Sequence, residues 1–127
     1  MHHKKLDRWL QFGGHSDGDT NSERVAIREF QEESGIDAVP TDIELFDIDA
    51  HRIPERGNEP EHTHFDVVFL GVIPKNTRFH GREAEVDDIR WFSIDEARKM
   101  NTQERMQRMF DRIESMSIKS SNLSSKI

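Results

Sequence analysis

Val25, Ala26, Ile27 and Phe30 recur at helical spacing and predict an amphipathic helix over residues 22–34. Asp19, Thr20, Asn21 and Ser22 offer N-cap side chains, and Gly35 supplies the left-handed residue that ends it. Gly13-Gly14 and Asp17-Gly18-Asp19 precede this helix as a turn-rich loop. Three strand-like runs follow. Residues 43–53 alternate, with Ile43, Leu45, Ile48 and Ile53 as their apolar positions. Residues 64–73 hold Val67, Val68, Phe69, Leu70, Val72 and Ile73 and read as a central strand. Residues 86–92 end in Ile89, Trp91 and Phe92, and the polar stretch 54–60 links the first two runs.

Ser93-Ile94-Asp95-Glu96 matches a capping box and opens a short helix to about Met100. Met106, Met109, Phe110, Ile113 and Met116 recur at helical spacing over 102–116 and are expected to pack against the sheet. The segment 117–127 is rich in serine and lysine and reads as a flexible tail. With no internal repeat, residues 1–116 read as a single domain.

Composition narrows the function. The chain has 127 residues, 33% hydrophobic and 34% charged, with a net charge of −7. That charge argues against a nucleic-acid polymer bound through a basic face. It does not forbid a phosphate substrate, since a bound cation reverses the local sign. Without cysteine there is no disulfide, thiol nucleophile or thiolate metal site. No apolar run reaches the ~18 residues needed to span a membrane, and a cytoplasmic protein is expected.

The strongest chemical signal is the run Arg28-Glu29-Phe30-Gln31-Glu32-Glu33-Ser34-Gly35-Ile36. Glu29, Glu32 and Glu33 stand at i, i+3 and i+4, within roughly 100° of one another on the helix surface and largely off its apolar face. Like charges so placed cost ~0.2–0.5 kcal/mol per pair. A divalent cation is the obvious source of compensating charge.

Residues 14–36 resemble the box of the Nudix hydrolases, G-x5-E-x7-R-E-U-x-E-E-x-G-U, where U is a bulky apolar residue. Gly14, Arg28, Glu29, Glu32, Glu33, Gly35 and Ile36 fall in register, with Phe30 at the first U. Thr20 stands where the first glutamate is expected, leaving Asp19 and Glu23 as the nearest acids to contact Arg28. The resemblance implies an α/β fold, a Nudix-like α/β/α sandwich with a mixed sheet. Only residues 1–13 precede Gly14, so the usual first strand is expected to be missing, with Leu6, Trp9, Leu10 and Phe12 supplying one short strand. An uncovered edge invites pairing with a second copy, so a homodimer or a poorly soluble monomer is expected.

The implied activity is metal-dependent hydrolysis of a nucleoside diphosphate derivative. Glu29, Glu32, Glu33 and the Gly14 carbonyl are the implied ligands of Mg2+ or Mn2+, and Arg28, expected to project to a different side of the helix from Glu29, orients a glutamate by a bidentate ion pair. One glutamate acts as general base, or a later acid does, for which Glu83 and Glu85 are the choices. His62, His64 and Asp66 alternate and share one strand face, as zinc ligands, substrate contacts or simply a hydrogen-bonded polar strand start. His15, Arg52 and His64 are the candidates for substrate contact, although Arg52 and Arg56 also read as plain surface charges. His2 and His3 read as exposed terminal residues. Two other readings compete: a Nudix-like module that binds metal or nucleotide without turnover, and an acidic cation-binding protein, which leaves the register of Gly14, Arg28 and Gly35 unexplained.

Overall fold

The computed structural model describes the backbone of residues 1–80 and 86–124 and the side chains through residue 117. The backbone forms two compact units: one holds the described residues of Met1–Gln11 and Glu85–Ile127, the other those of Phe12–Ala84.

In the second unit, helix α1 (Ser22–Ser34) has the bounds expected from the apolar spacing. Of the four candidate caps, Asn21 takes the role: its side chain accepts the Arg24 backbone N–H. Gly35 ends the helix at φ 72°, and its N–H donates to the Gln31 carbonyl. The next turn leaves no room for a side chain here. A Cβ on Gly35 would stand 2.8 Å from the backbone carbon and oxygen of His80, whose N–H donates to the Ser34 carbonyl. Val25, Ser34 and Ile36 are buried, and Phe12 meets Phe30 edge-on at 5.2 Å.

Helix α1 packs on the second strand of a long antiparallel ribbon, built of strands here numbered β3 (Thr41–Ile53) and β4 (His62–Val72). The numbering leaves β1 and β2 to the N-terminus. The ribbon register pairs Asp49 with Asp66 and His51 with His64. Between Leu45 and Asp47 the ladder shifts: Leu45 pairs with Phe69 and Asp47 with Val68, so Phe46 is an extra residue. That residue is buried at 3% exposure. The bulge also changes which residues share a face. Beyond it Asp47, Asp49 and His51 lie on one side, and Ile48, Ala50 and Arg52 on the other. Leu45, Ile48, Phe65 and Val67 remain exposed. The strand expected to be central thus pairs, among the described residues, with β3 alone.

In the first unit, β1 (His2–His3), β2 (Arg8–Trp9) and β5 (Val86–Asp88) form a small antiparallel sheet in the order β2-β1-β5. Two short strands therefore stand where one was expected. His2 and His3 are not merely terminal residues: they form β1. The His2 side chain, 19% exposed, lies against Trp9 and within ion-pair reach of Asp7 and Asp87. Backbone pairing with β5 draws these histidines in, a tertiary effect with no local signature. β5 stops at Asp88, short of Phe92, whose ring packs on Trp9 at 4.8 Å. All described ladders are antiparallel, so the parallel pairing of a mixed sheet is not among them.

Ser93 caps α2 (Ile94–Met100) through a complete capping box with Glu96. α3 (Glu104–Ser124) packs on α2, with Met109 and Phe110 buried and the Arg98 guanidinium over the Phe110 ring. Its backbone continues past Met116 into the segment read as a tail. Propagating an existing helix needs only one hydrogen bond per residue fixed, so a polar sequence sustains it. No helix among the described residues is long and apolar enough to cross a membrane.

Candidate functional site

Helix α1 presents its carboxylates to the glycine loop that precedes it. The Glu29 carboxylate lies against Gly14: a Cβ there would overlap Oε2 and stand 2.5 Å from Cδ. Glu33 accepts the Gly13 backbone N–H at 2.9 Å through Oε2. Arg28 closes the arrangement. Its Nη2 donates to Glu29 Oε1 at 2.8 Å and to the His15 carbonyl at 3.2 Å, with Nε on the same Glu29 oxygen at 3.3 Å. One guanidinium thus ties the helix to the loop.

These contacts sharpen two expectations. Arg28 reaches its neighbour Glu29 instead of projecting to a different side of the helix, and its Nε and Nη2 meet one carboxylate oxygen, not two. Asp19 does not take over a contact with Arg28, because Arg24, one turn earlier, forks onto both Asp19 oxygens at 2.7 and 2.8 Å. The Arg24 hydrogen bonds, with that of the Asn21 N–H, hold the Asp19 carboxyl at about 2. Arg28 is held above the ordinary arginine range, chiefly by its hydrogen bond to Glu29 and also by the charges of Glu29, Glu32 and Asp17.

Glu29 is largely covered, at 16% side-chain exposure, while Glu32 is open to solvent. Their carboxylates, with that of Glu33, do not converge on a common point as a set of ligand atoms. Glu29 and Glu33 take separate donors, Glu29 from Arg28 and Glu33 from the Gly13 N–H. The fit to a hard divalent cation rests on the donor chemistry, all carboxylate oxygen, and on Gly14, whose lack of a side chain lets the Glu29 carboxylate lie against the loop. Glu83 and Glu85 lie outside the described residues.

The loop also reaches the ribbon. The His15 ring makes an edge contact with His64 at 5.7 Å, and His64 makes similar contacts with His51 and His62. Of the residues expected to touch substrate, His15 and His64 are therefore brought together. Arg52 is not: it pairs with Thr63 in the register, on the face opposite His64, and its side chain lies 3.4 Å from Glu61 at 80% exposure.

His62, His64 and Asp66 share one face of β4, where the register sets His51 opposite His64 and Asp49 opposite Asp66. The ligand-type atoms that do converge among the described residues belong to Asp49, His51 and Asp66, all within 4.8 Å of one another. Asp49 and His51 escaped the sequence reading, although Asp47, Asp49 and His51 alternate as His62, His64 and Asp66 do. Only the register sets the two series side by side.

The family model of the NUDIX domain matches residues 2–113. No curated protein matches the chain.

Proposed function

The chain belongs to the NUDIX domain family, and on that premise we propose that it cleaves the pyrophosphate linkage of a nucleoside diphosphate derivative with an activated water. Nudix membership supports pyrophosphate hydrolysis in general. The nucleoside diphosphate class and the roles of individual residues are our reading. The observation that carries it is the contact of the Glu29 carboxylate with Gly14, held by Arg28. A helix that merely displayed charge to solvent would have no need of this loop.

In this reading Glu29, Glu32, Glu33 and the Gly14 carbonyl hold Mg2+ or Mn2+. When bound, the cation neutralises phosphate oxygens and lowers the pKa of a water. Arg28 orients Glu29 through its hydrogen bonds and fixes the loop through the His15 carbonyl. The Gly13 N–H holds Glu33 in place. Glu32, open to solvent, is suited to take the proton from the attacking water. His15 and His64 border the site and contact substrate. Arg52 contributes surface charge instead.

We assign the protein to the cytoplasm, in keeping with a cysteine-free chain. We also read it as a homodimer, an assignment supported by the exposed apolar face of Leu45, Ile48, Phe65 and Val67.

A second reading is a Nudix domain that binds nucleotide or metal without turnover. Its support is the separate tethering of Glu29 and Glu33. Purified protein with magnesium or manganese, assayed against a panel of nucleoside diphosphate derivatives, separates the two. Hydrolysis that disappears in both Glu32→Gln and Glu33→Gln supports the enzyme. Calorimetric metal binding with no turnover of any compound supports the binding module.

A further inference from the structure

The ribbon carries metal-ligating side chains that the glutamate box does not use. Asp49 and Asp66 are direct cross-strand partners, and like charges so placed destabilise a ladder. His51 stands between them, its Nδ1 3.6 Å from the Asp49 carboxylate and 3.7 Å from that of Asp66.

Those separations exceed the ~2.7–3.2 Å of an N–H···O hydrogen bond. They come close to the edge of a coordination tetrahedron, about 3.3–3.6 Å when each bond is ~2.0–2.2 Å long. The mixture of donors is selective as well. Magnesium and calcium favour oxygen alone, whereas one imidazole with two carboxylates suits zinc and its first-row neighbours. The three side chains are 30–42% exposed, so an ion has a path in. His64, beside His51 at 5.6 Å between ring centroids, provides the adjoining imidazole.

The geometry points to a binding site for a zinc-class divalent cation, formed by Asp49, His51 and Asp66, none of them a residue of the glutamate box. Three protein ligands leave a further coordination position for water or a substrate oxygen. The site does not depend on hydrolysis by the box. A protonated His51 bridging the two carboxylates is the competing arrangement, and it needs no ion.

The test uses the full chain, stripped of metal and titrated with Zn2+ by calorimetry and with Co2+ by visible absorption. The variants are Glu32→Gln/Glu33→Gln, His51→Gln and Asp66→Asn. We expect the box variant to keep a zinc site and its cobalt absorption band. His51→Gln and Asp66→Asn should weaken zinc binding at least ~10–100-fold, the range seen even for outer-shell partners. On the wild-type chain, imidazole 15N NMR should show the His51 Nδ1 resonance shifting on zinc addition, which removes any dependence on how the variants fold. Unchanged affinity in His51→Gln, loss of zinc binding in the box variant, or an unmoved His51 resonance would each overturn the assignment. The two proposals fail separately, since a box without hydrolytic activity leaves the zinc titration unaffected.

Discussion

The carboxylate of Glu29 occupies the space that a side chain at position 14 would need, so Gly14 and Glu29 are two halves of one contact. In Gly14→Ala the flexible carboxylate can swing aside, and the chain should still fold. The swing costs the Arg28 hydrogen bonds and misplaces the group assigned to the cation. We expect kcat/KM to fall ~100-fold, the cost of about an ångström of misplacement. Far-UV circular dichroism should be unchanged, and wild-type activity in this variant would contradict the role given to Glu29.

Arg28 serves the helix and the loop from a single nitrogen. Lysine keeps the charge but not the planar fork. Arg28→Lys should reduce turnover roughly 10-fold or more, as expected for a partner that orients a ligand. Stability should change little, because this ion pair is partly exposed. Steady-state kinetics beside urea titrations test both expectations. A large stability loss with full activity would make Arg28 a structural residue only.

Gly35 faces two constraints, a left-handed backbone and the His80 main chain at van der Waals distance or closer. Gly35→Ala meets both. Strain of this kind costs about 1–3 kcal/mol, so the midpoint of urea unfolding should drop clearly. An unchanged midpoint would mean that the turn at His80 relaxes without cost.

Asp19 has a depressed pKa, about 2 against an ordinary 3.8, caused first by its hydrogen bonds from Arg24. The unfolded chain binds this proton more readily than the folded one. Stability from the pair is therefore complete above 3.8 and declines as pH falls towards about 2. Urea unfolding followed from pH 5 downwards should show Asp19→Asn less stable than wild type at the upper end. The two curves should converge at the acid end. Parallel curves throughout would show that the pair contributes nothing in solution.

Phe65 is 72% exposed on the ribbon face it shares with Ile48, itself 62% exposed. If a second copy covers this face, sedimentation should give twice the chain mass for wild type and the monomer mass for Phe65→Lys. A monomeric wild type at micromolar concentration would end the dimer assignment.

Much of this was legible from residue order alone. The bounds of α1, its glycine stop and the Ser93 capping box follow from patterns within a few turns of helix, and the register of Gly14, Arg28, Glu29 and Gly35 follows from the resemblance to the Nudix box. The two long ribbon strands were visible as alternating or apolar runs. Other features depend on neighbours far along the chain. The bulge at Phe46 decides which residues of β3 face His64, and so separates Arg52 from it. No local pattern announces which residue will be the extra one.

Sequence by itself determined the helix, the loop glycines and the set of acids beside them, because helical spacing and glycine's left-handed freedom act within a single element. Only the tertiary structure decided the partners: Arg28 on Glu29 instead of Asp19, His2 inside a sheet, and Asp49 and His51 beside Asp66. Cross-strand register and competition among many possible donors are properties of the folded whole. A residue's type specifies what it can bind, and the backbone that arrives opposite specifies what it does bind.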